Sequence, residues 1–123
     1  MGHASVQLGS LNYNNKENVV QIGRQNTTEY AAGGYIYQIG FNNSSENAQS
    51  YLFGRNLIGN DWEQVVIGKY NARSGALLVI GNGTSVDNRA NTLEIFKNND
   101  AKFAGNVYSN NKILATQEYV DTK

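Results

Sequence analysis

Aromatic and acidic side chains near expected turns are the residues of this sequence best suited to ligand chemistry. The aromatic residues that fall near turns are Tyr13, Tyr30, Phe41, Trp62 and Tyr70. Rings exposed at loop tips can stack on sugar faces, and loops on a rigid scaffold commonly carry binding residues. Asp61, Trp62 and Glu63, together with Tyr70, therefore form our candidate glycan-binding site. The alternative is that Trp62 covers a coil edge or packs against a neighbouring chain.

Two further patterns were considered as catalytic or phosphate-binding sites. Asp61, Glu63 and Asp87 could supply the carboxylate pair of a glycoside hydrolase, but nothing in the sequence places two of them at a working separation. Gly81-Asn82-Gly83-Thr84 lacks the Lys and the following helix of a phosphate-binding loop, so it predicts a turn between coils. We expect no catalytic residue, no cofactor and no enzymatic activity.

Composition and charge narrow the class of protein further. The 123 residues include ten basic and ten acidic side chains, one His, and no Cys or Pro. No strongly basic cluster is evident, so we expect no nucleic-acid partner. No apolar run is long enough to span a bilayer, and we expect no membrane insertion. We predict no metal site, and we interpret residues 1–5, which include His3, as a vector-derived remnant or a disordered start.

A repeat determines where all these residues lie. A large apolar residue followed by Gly recurs six times, and the glycines are separated by 14, 17, 14, 14 and 13 residues. An apolar residue stands three positions before each Gly, and Asn stands three positions after four of the six. The repeated glycines are Gly9, Gly23, Gly40, Gly54, Gly68 and Gly81. A fixed period of this kind is the signature of a solenoid, which we predict for residues 6–88. The longer interval before Gly40, and Leu57 in place of Asn, are both expected to mark longer loops.

Residues before each Gly alternate as in a β-strand. Positions minus three and minus one are apolar, whereas minus two is Gln in the first three copies and Leu or Val in the last three. We assign the minus-three and minus-one side chains to the structural core: Val20, Ile22, Tyr37, Ile39, Tyr51, Phe53, Val65, Ile67, Leu78 and Ile80. The Gly permits a positive φ at the strand end, and stacked Asn side chains can form a ladder.

The short repeat has a consequence for assembly. A coil of about 14 residues is used up by two short strands and two tight turns, so it encloses only a thin apolar row. We infer that one chain cannot bury enough surface alone and that three copies share a core around a three-fold axis. The predicted fold is therefore an all-β, homotrimeric parallel β-roll or β-helix solenoid.

The last third of the chain has a different pattern. Residues 91–97 and 101–108 read as two strands joined by the turn Asn98-Asn99-Asp100, with Phe103 and Val107 as anchors of the second strand. Ser109-Asn110-Asn111 predicts a second turn. The segment 89–114 is thus expected to be a β-hairpin region, and 115–123 reads as the start of a helix leading to a further module.

The repeat Val-x-Ile-Gly-x-x-Asn resembles the head repeats of trimeric autotransporter adhesins. Those heads are left-handed parallel β-rolls of three chains, and similar repeats occur in phage tail fibres and baseplate proteins. The resemblance covers residues 6–87. Residues 89–107, and the ending Leu114 to Asp121, look like the segments that follow head repeats in tail-fibre and baseplate proteins of phages and prophages.

These resemblances imply a function in host attachment. The chain is expected to be a structural segment of a trimeric phage tail fibre or receptor-binding protein, located in the virion, with a host-surface glycan or protein as partner. The first alternative is the head of a bacterial trimeric autotransporter adhesin, located at the cell surface. The second alternative is a polysaccharide-degrading tail spike.

Overall fold

The computed structural model describes residues 5–14, 18–28, 35–46 and 49–114, which form fourteen β-strands and no helix. Six long strands come from the six repeats: β1 (Val6–Ser10), β3 (Val19–Arg24), β5 (Ile36–Phe41), β7 (Ser50–Arg55), β9 (Gln64–Lys69) and β10 (Leu78–Asn82). Short strands follow four of them: β2 (Tyr13–Asn14), β4 (Thr27–Thr28), β6 (Ser44–Ser45) and β8 (Ile58–Gly59). The last four strands are β11 (Asn91–Ile95), β12 (Ala101–Phe103), β13 (Tyr108–Ser109) and β14 (Lys112–Ile113).

The repeats build a β-solenoid of about five stacked turns, as predicted. The long strands pair in parallel in the order β1-β3-β5-β7-β9-β10, and the short strands form a second parallel sheet in the order β2-β4-β6-β8. Corresponding repeat positions face each other across the ladder, so that Gly23 pairs with Gly40, and Gly40 with Gly54. The 17-residue interval leaves this register intact, because β3 and β5 pair over six residues. The extra residues of that interval lie outside the described part of the chain.

The glycine column is required by both conformation and space. Gly23 and Gly40 have φ values of 125° and 132°, which side chains of L-residues rarely adopt. A Cβ at Gly23 would overlap the carbonyl oxygen of Gly40, and a Cβ at Gly40 would overlap that of Gly54. The predicted positive φ is therefore confirmed at these positions, and each glycine also lets the next coil approach.

The interior of the solenoid changes character along its axis. In the N-terminal coils the buried apolar side chains are Val19 and Ile36, and amides and hydroxyls fill the remaining space. The C-terminal coils instead bury one apolar cluster formed by Leu52, Leu57, Val66, Ala76 and Val79, against which Phe96 packs. The described part of the chain thus has a polar half and an apolar half.

Two ladders of side-chain amides supply hydrogen-bond partners for the buried polar groups of the polar half. Gln21 Nε2 donates to Gln38 Oε1 at 2.8 Å, and Gln7 Nε2 donates to Gln21 Oε1 at 2.6 Å. In the second ladder, Asn26 Nδ2 donates to Asn12 Oδ1 and to the carbonyl oxygen of Gly40, both at 3.1 Å. No buried side-chain nitrogen or oxygen among the described residues lacks a partner. The predicted Asn ladder is confirmed, and amides can line this interior because each finds partners among the amides, hydroxyls or backbone groups of its own or a neighbouring coil.

The side chains assigned to the structural core do not fill the coil of the single chain. They lie on the outer face of the long sheet, with side chains exposed or half-buried: Val20, Ile22, Tyr37, Ile39, Tyr51, Phe53, Val65, Ile67, Leu78 and Ile80. The interior is formed by the alternate positions, such as Val19, Gln21 and Val66. Strand alternation defines two faces, and the short strands β2, β4, β6 and β8 cover the face that carries the glutamines. Burial of the outer residues between chains remains a prediction.

Leu57 also differs from expectation. The repeat is not lengthened there, and β6 and β8 remain paired through Ser44 and Ile58. Leu57 is fully buried in the apolar cluster, while its backbone N–H donates to Asn43 Oδ1 at 3.0 Å. The Asn position is therefore filled by an apolar side chain at the point where the interior becomes apolar.

The C-terminal region extends the long sheet by two antiparallel strands. β11 pairs with β10, and β12 pairs with β11 across the predicted turn, where Asn99 has a φ of 78°. The predicted long second strand is wrong, because β12 ends at Phe103, whose side chain is 52% exposed and therefore not an anchor. Ala104 and Gly105 supply little apolar surface with which to continue it. The turn predicted at Ser109-Asn110-Asn111 is present, and it joins β13 and β14 into a second hairpin. Residues 115–123 lie outside the described part.

Candidate functional site

The most extensive candidate site is the outward surface of the long sheet, here called the apolar face. It consists of the minus-three and minus-one side chains of the repeats: Val6, Leu8, Val20, Ile22, Tyr37, Ile39, Tyr51, Phe53, Val65, Ile67, Leu78 and Ile80. Parallel pairing in register places these residues in two continuous columns across six strands. Ile67, on β9, the fifth of these six strands, is 41% exposed. Contiguous apolar surfaces of this kind mark interaction sites on proteins.

Aromatic packing gives the apolar face a rigid central part. The rings of Tyr37 and Tyr51 stack in neighbouring coils, with centroids 5.3 Å apart and planes 15° from parallel. Ile39 and Phe53 are paired in the adjacent column. Side chains that already pack against neighbours in the ladder have less rotamer entropy to lose when a partner covers them.

The predicted glycan site is divided between the two ends of β9. Trp62 is 48% exposed in the turn before β9, and its backbone N–H donates to Asp61 Oδ1 at 2.7 Å. Glu63 is exposed and has a φ of 55°. Tyr70 lies beyond the other end of β9, about 20 Å away at ~3.3 Å per residue. The structure therefore places Asp61, Trp62 and Glu63 together but does not bring Tyr70 to them; glycan binding by these residues remains a prediction.

The acidic residues considered for hydrolysis are separated in the same way. Asp61 forms an ion pair with Lys97, with Oδ1 and Nζ 3.6 Å apart. Asp87 lies in the loop after β10, at the opposite end of the long strands from Asp61 and Glu63. Among the described residues, no three His, Cys, Asp or Glu side chains converge as a metal site would require.

The glycine-rich segment Gly81-Asn82-Gly83-Thr84 binds its own chain through its backbone. Gly81 and Asn82 belong to β10, and the turn begins only after them. The N–H groups of Asn82, Gly83 and Thr84 donate to the carbonyl oxygens of Ala90, Lys69 and Asn88 at 3.0 to 3.2 Å. Because these donors are already used, the segment offers no cradle for a phosphate.

A row of cations at the C-terminal ends of the long strands was not recognised from the sequence. We call Arg24, Arg55 and Lys69 the basic row; with Phe41 they occupy the first position after the repeated Gly in successive coils. All four side chains are exposed. The signal that would have revealed the row is the plus-one column of the repeat, which contains no acidic residue. The net charge of zero gives no indication of these cations, because it sums over the whole chain.

Tyr70 lies beside this row and contacts two arginines. The guanidinium carbon of Arg55 is 5.3 Å from the Tyr70 ring centroid, and that of Arg89 is 6.0 Å from it. Arg89 Nη1 also donates to the carbonyl oxygens of Asn56 and Asn71, at 2.7 and 3.3 Å. Burial lowers the pKa of Arg89, and the nearby charge of Arg73 acts in the same direction. Tyr70 is thus part of a cationic edge rather than of the Trp62 turn.

Arg73, unlike the cations of the basic row, forms an ion pair with a carboxylate in the described part of the chain. Its Nε and Nη2 atoms donate to the two carboxylate oxygens of Glu46, at 2.9 and 2.5 Å. The hydrogen bond to Glu46 raises the pKa of Arg73. The ion pairs among the described residues are this one and Asp61–Lys97, so the basic row has no carboxylate partner there.

Comparison with known proteins identifies no relative: no family model, no curated protein and no solved structure matches the chain. In addition, no helix in the described part of the chain is long and apolar enough to cross a membrane.

Proposed function

We propose that the chain is a structural segment of a homotrimeric phage tail fibre or baseplate receptor-binding protein. Three chains pack through their apolar faces around a common axis, and the resulting rod holds attachment surfaces rigidly at the virion. The single observation that carries this proposal is the apolar face itself. The most consistently apolar columns of the repeat point away from the coil, while glutamine and asparagine fill much of its interior.

The hydrophobic effect explains why this arrangement favours association. Apolar surface left in water costs about 25 cal/mol per Å², and one face here carries two apolar columns over six strands. The polar half of the interior contributes comparatively little apolar burial of its own. A partner that covers the apolar face supplies the burial that the coil lacks, and a second and third copy of the same rigid face are complementary to it.

A mass measurement in solution tests the assembly. Light scattering on a sizing column should give three times the chain mass of 13.5 kDa. A stable monomer at micromolar concentration would remove the main physical support for the fibre. The apolar face would then need a different partner.

The phage origin has a separate test. It is supported by the resemblance of residues 89–107 and of the C-terminal ending to phage fibre segments. Antibodies raised against the chain should label tails or baseplates of virions in electron micrographs. Labelling confined to the bacterial surface would instead favour the adhesin-head function.

A further inference from the structure

We infer that the basic row of Arg24, Arg55 and Lys69 binds an acidic polysaccharide whose negative groups are carboxylates. This inference deepens the proposed attachment function, on which it rests, by naming the surface and the ligand chemistry. The row is nevertheless a property of one chain, so its test can be separated from that of the trimer.

Geometry aligns the row with the long axis of the solenoid. Arg24 is paired with Phe41, Phe41 with Arg55, and Arg55 with Lys69, so the three cations and Phe41 occupy four neighbouring strands, which are about 4.8 Å apart. A linear polymer laid across the strands therefore meets one side chain per coil. Phe41, which is 40% exposed between the two arginines, offers an apolar surface to a sugar ring.

Charge is unbalanced along this edge. Arg55 and Arg89 both contact the ring of Tyr70, and Lys69 precedes that residue directly. The acid whose charge raises the pKa of Arg89 is Glu46, and that carboxylate is already bound by Nε and Nη2 of Arg73. An anion bound here would relieve repulsion between like charges and gain hydrogen bonds from guanidinium groups with no acidic partner in the described residues.

Carboxylate-bearing sugars fit these observations better than nucleic acid does. The guanidinium fork matches a carboxylate in two parallel hydrogen bonds, the arrangement that Arg73 and Glu46 adopt in this protein. Nucleic-acid sites generally need a larger excess of cations and free stacking platforms. Here the chain has no net charge, and the Tyr70 ring is already in contact with two arginines.

Affinity electrophoresis of the whole chain in gels containing polygalacturonate tests the inference, with neutral dextran as the reference polymer. The chain should be retarded by polygalacturonate but not by dextran, and the retardation should fade as salt rises. The variant R55Q/K69Q should bind at least about tenfold more weakly, because hydrogen bonds to charged groups contribute about 1.5–3 kcal/mol each.

The matched control removes the same charge elsewhere. K102Q/K112Q loses two exposed lysines in the C-terminal hairpins and should bind as the unmodified chain does. Equal weakening by the two double variants would show attraction to total charge only and would overturn the inference. Thermal unfolding of each variant, monitored by circular dichroism, verifies that both remain folded.

Mass and binding measured on the same samples separate the two proposals. A trimer without affinity for polygalacturonate overturns the ligand assignment and leaves the fibre. A monomer that binds through the row supports the ligand assignment and contradicts the fibre. Stronger retardation by single-stranded DNA of equal charge, or loss of the trimer in R55Q/K69Q, would also overturn the inference, since the row would then serve nucleic acid or a chain contact.

Discussion

Val66 and Ile67 are consecutive residues of β9 that face opposite sides of the long sheet. Val66 is completely buried in the apolar cluster, whereas Ile67 is 41% exposed on the apolar face. A substitution at Val66 therefore tests the stability of the coil, and a substitution at Ile67 tests association between chains.

We predict that Ile67→Asp leaves the solenoid folded but prevents trimer formation. Its carboxylate is solvated in a single chain, and it would be buried without a partner only where three chains meet. Val66→Asp places the same charge in the closed interior and should unfold the coil, at a cost of several kcal/mol. Circular dichroism and light scattering distinguish the two variants. A folded trimer of Ile67→Asp would contradict the interface.

Gly40→Ala should destabilise the protein by at least about 1–3 kcal/mol, because the added Cβ meets the carbonyl oxygen of Gly54 and the residue has a φ of 132°. Gly105→Ala is the matched control, since nothing lies within 4 Å of its Cβ position. Urea unfolding gives the free-energy change of each variant. Equal stabilities for the two would show that the glycine column can adjust without cost.

Asn43→Ala should lower the free energy of unfolding by about 1–3 kcal/mol, since it leaves buried backbone groups without partners. Asn43 Oδ1 accepts from the N–H of Leu57, and its Nδ2 donates to the carbonyl oxygen of Gly54, both at 3.0 Å. Asn106→Ala, in an exposed loop, is expected to have no measurable effect. Denaturant melts of the pair provide the comparison. A neutral Asn43→Ala would mean that water replaces the ladder.

Hydrogen exchange should reveal a gradient along the solenoid. Amides of β7 and β9, beside the cluster of Leu52, Leu57 and Val66, are expected to exchange more slowly than those of β1 and β3. Local opening is easier where little apolar surface is buried and where a strand is at the edge of the sheet. Mass spectrometry of peptides from each strand measures this. Uniform protection would indicate that the amide ladders stabilise as strongly as the apolar cluster.

The register of the parallel strands could be predicted from the sequence, because equivalent positions of the repeat are paired in neighbouring coils. The aligned glycines, and the asparagines at Asn12, Asn26 and Asn43, predicted which residues would be neighbours, and the structure pairs them so. Where the repeat is imperfect, prediction was weaker. At Leu57 a missing Asn suggested a longer loop, although an apolar side chain filled the same position without changing the coil length.

Which site residues are neighbours in space could not be predicted from the sequence. Trp62 and Tyr70 are eight positions apart in sequence, yet an extended six-residue strand separates them in space. The basic row is the reverse case, because Arg24 and Lys69 are far apart in the chain and only stacking of the coils aligns them. Contacts of this kind depend on strand length and coil stacking rather than on local composition.

The sequence by itself determined the repeat, its period, the six long strands and the order in which they stack, because these follow from local alternation and from equivalent residues pairing with each other. Only the tertiary structure decided which strand face becomes the interior. Alternation makes two faces equally available, and hydrophobicity alone favours the wrong one for a single chain. The short strands β2, β4, β6 and β8 cover Gln21 and Gln38 because both buried amides find hydrogen-bond partners there, Gln21 at Gln38 and Gln38 at Thr27 and Ser45, which leaves the isoleucines outside.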